Sequence, residues 1–357
     1  MTVFGVGEQE FESLPEFNSY LADEDVEFDG ELYVLAGLTQ YSESEFLSVL
    51  ESSGYEIITE HGVIRKINRE YDDRTIQFYL HYDTETGVVL IYSDMRRGED
   101  LKPTVEQFLE SHPGVHYLYV GPSLFRQIRD DVIERYETPK LTNFVADRSE
   151  HSDYPCTIRP EYRRTIQYDG EDGLKALQEM ERNYGVRPKN LTFSIPNQSK
   201  FKIIRRGVFA LVRGELEILF RYIEMCIEES LPVIEAHDYT SFEMMPASDT
   251  ISVPSSKPAT VSLSGKLEYH NVDEFVSLMG DEEYVVVNEF AREGSLYFSS
   301  KVIDKKKQDT FKIKATEDDI RFFPQKSETD LGALYRFYEF IQDNVDQNAD
   351  IIIPTHG

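Results

Sequence analysis

Tryptophan is absent from this chain of 357 residues, and cysteine occurs only twice, as Cys156 and Cys226. Two isolated cysteines form neither a C-x-x-C metal knuckle nor a disulfide framework, so we expect a reducing, cytoplasmic environment. No apolar run approaches the roughly 18 residues that a transmembrane helix needs. The first residues, MTVFGVGEQEFESLPEF, lack the basic region and the apolar core of a signal peptide. These absences predict a soluble protein with no membrane partner.

The sequence also lacks the common catalytic motifs, namely the P-loop, the G-x-S-x-G nucleophile elbow and the H-E-x-x-H zinc motif. We therefore predict no catalytic residue, no metal ligand and no cofactor. One enzymatic hypothesis remains, a metal-dependent nuclease in which Asp304 and Glu289 hold Mg²⁺ beside a lysine. The pattern behind it, Asp304-Lys305-Lys306, is short, and a charged hairpin turn is the simpler interpretation.

Basic residues are scarce: 37 Lys and Arg stand against 66 Asp and Glu, which gives a formal net charge of −29. This composition resembles that of proteins from salt-loving microbes, in which carboxylates keep the surface hydrated. An acidic bacterial or viral protein is the alternative. The hydrophobic fraction of 40% is large enough for a folded core, so the chain is not expected to be disordered as a whole.

Hydrophobic periodicity gives the same order of elements three times: a strand, a helix, several strands and a closing helix. The first unit begins with ELYVLAG and a helix that Ser42 and Glu45 cap, the second with RRTIQY, and the third with ATVSLSGKLEY. Alternation of apolar and polar residues in the strands is typical of antiparallel sheets with one covered face. We predict an α+β fold of three β-α-β-β-β-α units, with helices on one face of each sheet.

Composition sets the predicted boundaries. Stretches rich in Pro, Ser, Asp and Thr separate the units and are typical of linkers. The first thirty residues are strongly acidic and are expected to be partly disordered. The predicted segments are 1–30 (acidic segment), 31–136 (first unit with an extra helix), 137–158 (linker), 159–245 (second, basic unit), 246–259 (linker) and 260–357 (third unit).

This element order is similar to half of a TATA-binding-protein fold, or to a helix-grip fold, in which a curved antiparallel sheet carries helices on one face. The resemblance covers roughly residues 31–120, 160–230 and 260–345. It rests on element order alone and carries no function with it.

Charge is distributed unevenly along the chain. Residues 1–150 have a net charge of −19 and residues 215–357 of −15, whereas residues 159–214 have +6. The stretch 183–214 contains no acidic residue. In KFKIIR the lysines alternate with apolar residues, and the same alternation occurs in TFKIKA, so each strand turns a basic row to one face. The candidate binding residues are Arg187, Lys189, Lys200, Lys202, Arg205, Arg206, Arg213, Lys312 and Lys314.

These patterns predict a non-enzymatic binding protein. Its middle unit, extended by the third, would present a basic sheet face to nucleic acid or to an acidic partner. The alternative is a protein–protein assembly subunit in which the basic stretch pairs with acidic residues of its own chain. The metal-dependent nuclease is a second alternative, and the sequence does not predict the oligomeric state.

Overall fold

The computed structural model describes residues 3–23, 26–148, 156–248, 251–267, 272–281, 284–292, 297–325 and 330–352. Its contacts divide the chain into two compact units. Unit 1 contains nearly all of the chain up to Glu229, and unit 2 contains chiefly Ser230–Gly357. The mixture of helices and large antiparallel sheets confirms the predicted α+β class.

Unit 1 is built around one eleven-stranded sheet. The helices are α1 (Leu14–Leu21), α2 (Glu43–Ser52), a π-helix (Arg97–Glu106), α3 (Gln107–Ser111), α4 (Pro122–Arg135), α5 (Gly173–Tyr184) and α6 (Leu216–Tyr239), which ends in unit 2. The strands are β1 (Leu32–Thr39), β2 (Tyr55–His61), β3 (Ile64–Tyr71), β4 (Arg74–Tyr82), β5 (Val88–Ser93), β6 (Val115–Tyr117), β7 (Lys140–Arg148), β8 (Arg164–Asp169), β9 (Arg187–Ile195), β10 (Ser199–Ile204) and β11 (Val208–Gly214).

The strand order in this sheet is β2-β3-β4-β5-β1-β11-β10-β9-β7-β8, and β6 pairs with β1. The antiparallel pair β1–β11 joins the two predicted units, with Val34 opposite Phe209. The division into separate first and second units therefore differs from the structure, in which they share one sheet. Periodicity within each segment could not show this, because the joining strands are far apart in sequence.

The predicted linker 137–158 contains a strand rather than only a connection. β7 pairs with β8 and β9, and its apolar residues Leu141, Phe144 and Ala146 are buried. The prediction of a linker rested on the Pro, Ser and Thr content of the segment, whereas the burial of these apolar side chains stabilises a strand. The acidic segment 1–30 is likewise folded in part, because α1 buries Phe17 within the core.

Helices pack on both faces of the unit 1 sheet, whereas the sequence predicted one covered face. Phe17 of α1 packs on Tyr79 of β4, with ring centroids 6.1 Å apart. Phe46 of α2 packs on Tyr82 of the same strand, at 5.8 Å. Residues 79 and 82 point to opposite faces of a strand, so α1 and α2 lie on opposite sides of the sheet.

Unit 2 contains a two-stranded sheet and a six-stranded sheet. The two-stranded sheet overlaps the predicted linker 246–259. The elements are β12 (Ser241–Ser248), β13 (Ile251–Lys257), β14 (Ala259–Ser262), α7 (Val272–Asp281), β15 (Tyr284–Arg292), β16 (Tyr297–Asp304), β17 (Thr310–Ala315), β18 (Asp319–Pro324), α8 (Leu331–Asn344) and β19 (Asp350–Ile352).

The larger sheet of unit 2 has the order β15-β16-β17-β18-β14-β19. Its first five strands repeat the order β2-β3-β4-β5-β1 of unit 1, in which a strand and a helix precede a four-stranded meander. The segment that contains β9, β10 and β11 does not repeat this order, because β7 pairs with β8 and β9. The resemblance to a TATA-binding-protein half or a helix-grip fold stays a prediction.

One face of this sheet is packed against α7 and α8. Phe337 of α8 contacts Phe311 and Phe322, with ring centroids 5.4 and 5.9 Å apart. Phe275 of α7 packs edge-on against Phe298 at 5.9 Å. The side chains that alternate with these apolar residues therefore belong to the other face of the sheet. Among the described residues, no helix of either unit is long and apolar enough to cross a membrane.

Candidate functional site

Four basic side chains share the face of the unit 2 sheet opposite α7 and α8. Lys301 on β16 lies directly opposite Lys312 on β17. Lys314, two residues further along β17, lies opposite Arg321 on β18. Residues two apart on one strand are ~7 Å apart, and neighbouring strands are ~5 Å apart. The four cations therefore form a compact group across three adjacent strands.

The pair of Lys301 and Lys312 weakens the sheet that carries it. Like charges directly opposite each other on antiparallel strands are destabilising, by up to about 1 kcal/mol. Neither lysine forms an ion pair with any carboxylate of the described residues, although the chain has 66 acidic residues. Natural proteins accept a cost in stability of this kind at sites that their activity requires.

Aromatic and aliphatic side chains lie among these cations. Phe323 on β18 is the cross-strand partner of Lys312, and the Lys314 ammonium lies 4.9 Å from the centroid of the Phe323 ring. Phe290 on β15 pairs with Ser299, the residue opposite Lys314, and its side chain is 53% exposed. We call this surface the lysine face and define it as Lys301, Lys312, Lys314, Arg321, Phe290 and Phe323.

The described acidic residues of this sheet face lie at one end of it. Asp319 is two residues from Arg321 on β18, and its carboxylate lies 3.1 Å from the Arg321 Nε. Asp350 is exposed on β19 and pairs with Ser262, the partner of Asp319. Ion pairs this exposed contribute less than about 1 kcal/mol. Arg321 is thus partly neutralised, and Lys301, Lys312 and Lys314 carry most of the charge.

The predicted basic residues of unit 1 divide into two groups. Lys200 and Lys202 are half-buried on β10, opposite the buried side of Phe201 and Ile203, as the alternation predicts. Lys200 pairs with Arg213, which is exposed on β11. Burial lowers the pKa of Lys202, the neighbouring Arg97 lowers it further, and Glu31 opposes both effects. These three cations form the part of the predicted site that the structure brings together.

The second group is engaged within unit 1. Lys189 forms an ion pair with Asp147 of β7. Arg206 bonds to Glu110 at 2.8 Å and lies over the Tyr117 ring. Arg205 donates to the Tyr119 hydroxyl at 3.0 Å. Arg187 is buried opposite Asp147. Lys189 and Arg206 thus pair with acidic residues of the same chain, as the alternative interpretation predicts.

Asp304 lies in a buried ionic network. Its carboxylate accepts hydrogen bonds from the backbone N–H groups of Lys306 and Lys307, and it lies 3.3 Å from the Arg336 guanidinium. Its side chain is fully buried, and the contacts to the turn 305–307 favour the hairpin interpretation. The side chain of Glu289, the other residue of the nuclease hypothesis, lies outside the described part of β15. The structure gives this hypothesis no support at Asp304.

Lys307 is the cation at the centre of this network. It is buried beside Gly332 at the start of α8, where Asp330 is the N-cap residue. Burial lowers the pKa of Lys307 to about 8, and the carboxylates of Asp330 and Asp304 only partly offset this effect. The folded chain thus loses this proton at a lower pH than the unfolded chain does.

This difference predicts a pH-dependent stability. The pKa of Lys307 is about 8 in the folded chain against an ordinary 10.5, so the unfolded chain binds more protons between these values. The free energy of unfolding should therefore rise with pH across this window, by up to about 3 kcal/mol relative to a Lys307→Met variant. Urea unfolding from pH 7.5 to 10 measures it, with Lys305→Met in the same turn as control. Parallel curves for wild type and Lys307→Met would contradict the prediction.

Only part of the lysine face was predicted from the sequence. Lys312 and Lys314 were predicted, whereas Lys301, Arg321, Phe290 and Phe323 were missed. The missed cations carry the same signal, because Lys301 in SLYFSSKVI and Arg321 in DIRFF alternate with buried residues. The strand pairing that brings them together cannot be read from either segment alone.

Two comparisons with known proteins show how much of the chain is similar to each of them. A protein-family model described as a family middle domain matches residues 125–206, which lie almost entirely in unit 1. A protein of Archaeoglobus fulgidus with the name "Uncharacterized protein" is 21% identical over 323 residues, or 86% of each chain. An alignment of that length includes parts of both units. Neither description names an activity or a ligand.

Proposed function

We propose that this protein binds nucleic acid and that the lysine face of unit 2 is its principal contact surface. The observation that carries the proposal is the cross-strand pair Lys301 and Lys312. Their mutual repulsion opposes folding, and a polyanion lying over both lysines removes it. A phosphate backbone offers a row of such anions, which lysine contacts without reading the sequence.

The arrangement of the cations suits an extended polyanion better than a small anion. Lys301 and Lys312 form one row across β16 and β17, and Lys314 and Arg321 form a second row across β17 and β18, ~7 Å further along the strands. A backbone that crosses β16, β17 and β18 contacts several of these side chains at once. The chain as a whole has a net charge of −29, so its acidic surface elsewhere repels a polyanion. This repulsion favours binding of the polyanion at the lysine face.

Lys200, Lys202 and Arg213 of unit 1 are a second candidate contact surface. Lys200 and Arg213 are direct cross-strand partners, so like charges again face each other. The ion pairs of Lys189 and Arg206 favour the alternative function, an assembly subunit, because they use part of the basic stretch inside the chain. We place the principal contact on the lysine face because Lys301 is exposed there, whereas Lys200 and Lys202 are half-buried and burial lowers the pKa of Lys202.

Replacing Lys312 with threonine tests the proposal. Threonine suits a strand, and the change removes one partner of the repelling pair, so thermal stability should stay the same or rise slightly. Binding of a fluorescently labelled oligonucleotide should weaken. The slope of log affinity against log salt should become shallower by about 0.7, the contribution of one phosphate contact on a single strand.

The matched control is Lys266→Thr, since Lys266 is an exposed lysine of unit 2 that pairs with Glu317 away from the lysine face. This variant should bind as wild type does. Equal loss in both variants would show that only net charge matters and would refute a defined surface. No binding by wild type at any salt concentration would refute the proposed function and favour the assembly subunit.

A further inference from the structure

We infer that the ligand of the lysine face is single-stranded nucleic acid, with a base stacked on Phe323. This inference rests on the proposed function and adds the class of nucleic acid. It comes from the side chains that accompany the cations and from the width of the sheet that carries them.

The width of the sheet excludes entry into a major groove. That groove is roughly 12 Å wide and admits a helix or a two-stranded ribbon. The six strands of this sheet, spaced at ~4.8 Å, extend about 24 Å. A duplex could meet the sheet only by lying across it or by bending onto it. A single strand has no such restriction, because its backbone and its bases can both lie flat on the sheet.

The rings of the lysine face favour bases as well as phosphates. Phe323 is half-buried, which fixes the ring in the sheet surface, and the Lys314 ammonium lies 4.9 Å from its centroid. Phe290 exposes 53% of its surface on the same face. The faces of the bases in an intact duplex are covered by their stacked neighbours, whereas unpaired bases can stack on aromatic rings whatever their sequence.

The cations surround Phe323 in a way that fits one nucleotide. Lys312 is its direct cross-strand partner, and Lys314 and Arg321 form the next row. A base that stacks on the Phe323 ring would displace the Lys314 ammonium from it. The phosphates on either side of that base would then lie within reach of Lys312, Arg321 and Lys314, which are about 5, 7 and 8 Å from Phe323 along the sheet.

The test uses the full chain with a labelled oligothymidine and a duplex of the same length. Wild type should bind the single strand more tightly than the duplex. Phe323→Leu keeps an apolar side chain but removes the aromatic plane, so single-strand affinity should fall about tenfold while the salt slope stays unchanged. Phe323→Tyr keeps the plane and should restore most of the affinity. Melting curves check that the variants are folded.

The outcomes separate this inference from the proposed function. Tighter binding of the duplex, or equal single-strand affinity in Phe323→Leu and wild type, would overturn the inference and leave nucleic-acid binding in place. Phe323→Leu with a shallower salt slope would also overturn it, because the ring would then act by positioning Lys314. Binding of neither ligand would refute the proposed function and the inference together.

Discussion

Replacing Asp304 with asparagine should destabilise unit 2 by about 3 kcal/mol, because it leaves the buried Arg336 without its anionic partner there. Asp304 is fully buried and Arg336 is 9% exposed, so water cannot replace the lost interaction. Asparagine keeps an oxygen that can accept from the Lys306 and Lys307 N–H groups. The expected loss of stability therefore measures the effect of removing the negative charge and not a change in the shape of the turn.

Asp319→Asn is the matched control, since Asp319 forms an exposed ion pair with Arg321 at 3.1 Å. Loss of this ion pair should lower the free energy of unfolding by less than about 1 kcal/mol. Amide hydrogen exchange of β16 and β17 during urea unfolding measures both variants within unit 2. An Asp304→Asn protein as stable as wild type would contradict the buried network at this turn.

The double reversal of Lys301 and Lys312 to glutamate should lower nucleic-acid affinity by at least about 100-fold at low salt. It removes two charge-assisted contacts and adds repulsion from phosphate. Folding should be nearly unchanged, because one like-charge pair replaces another across β16 and β17. The single variant Lys301→Glu should bind weakly as well but melt at a higher temperature, since the introduced carboxylate would then face Lys312 as an opposite charge.

Loss of binding together with unchanged or increased stability is the signature of a surface that is shaped for a ligand. A structural role for the two lysines predicts the reverse, a lower melting temperature in the double variant. Titration of labelled oligonucleotide beside thermal melts of wild type and both variants distinguishes the two. Wild-type affinity in the double variant would show that the lysine face does not contact nucleic acid.

Alternation along single strands predicted which side chains share a face. It placed Lys312 and Lys314 opposite Phe311 and Ile313, and the structure has this arrangement. It could not supply the register between strands, so the pairing of Lys301 with Lys312 was not foreseen. The helix cap could also be predicted from one segment, because the capping residues are only three positions apart. Ser42 and Glu45 form the predicted capping box.

Interactions between segments that are distant in sequence could not be predicted from local patterns. Arg206 bonds to Glu110, 96 residues earlier, and β1 pairs with β11 across most of unit 1. Pro103 lies inside the π-helix Arg97–Glu106, and hydrophobic periodicity does not predict an element of this type. Proline cannot donate a backbone hydrogen bond, and a wider helical turn accommodates it.

The salt dependence of binding tests the central claim most directly. Labelled oligothymidine is titrated with the wild-type chain at several salt concentrations, and log affinity is plotted against log salt. Four phosphate contacts, from Lys301, Lys312, Lys314 and Arg321, predict a straight line with a slope of about −3 for a single strand. A slope near zero, or no binding at about 50 mM salt, would contradict a nucleic-acid-binding role for the lysine face.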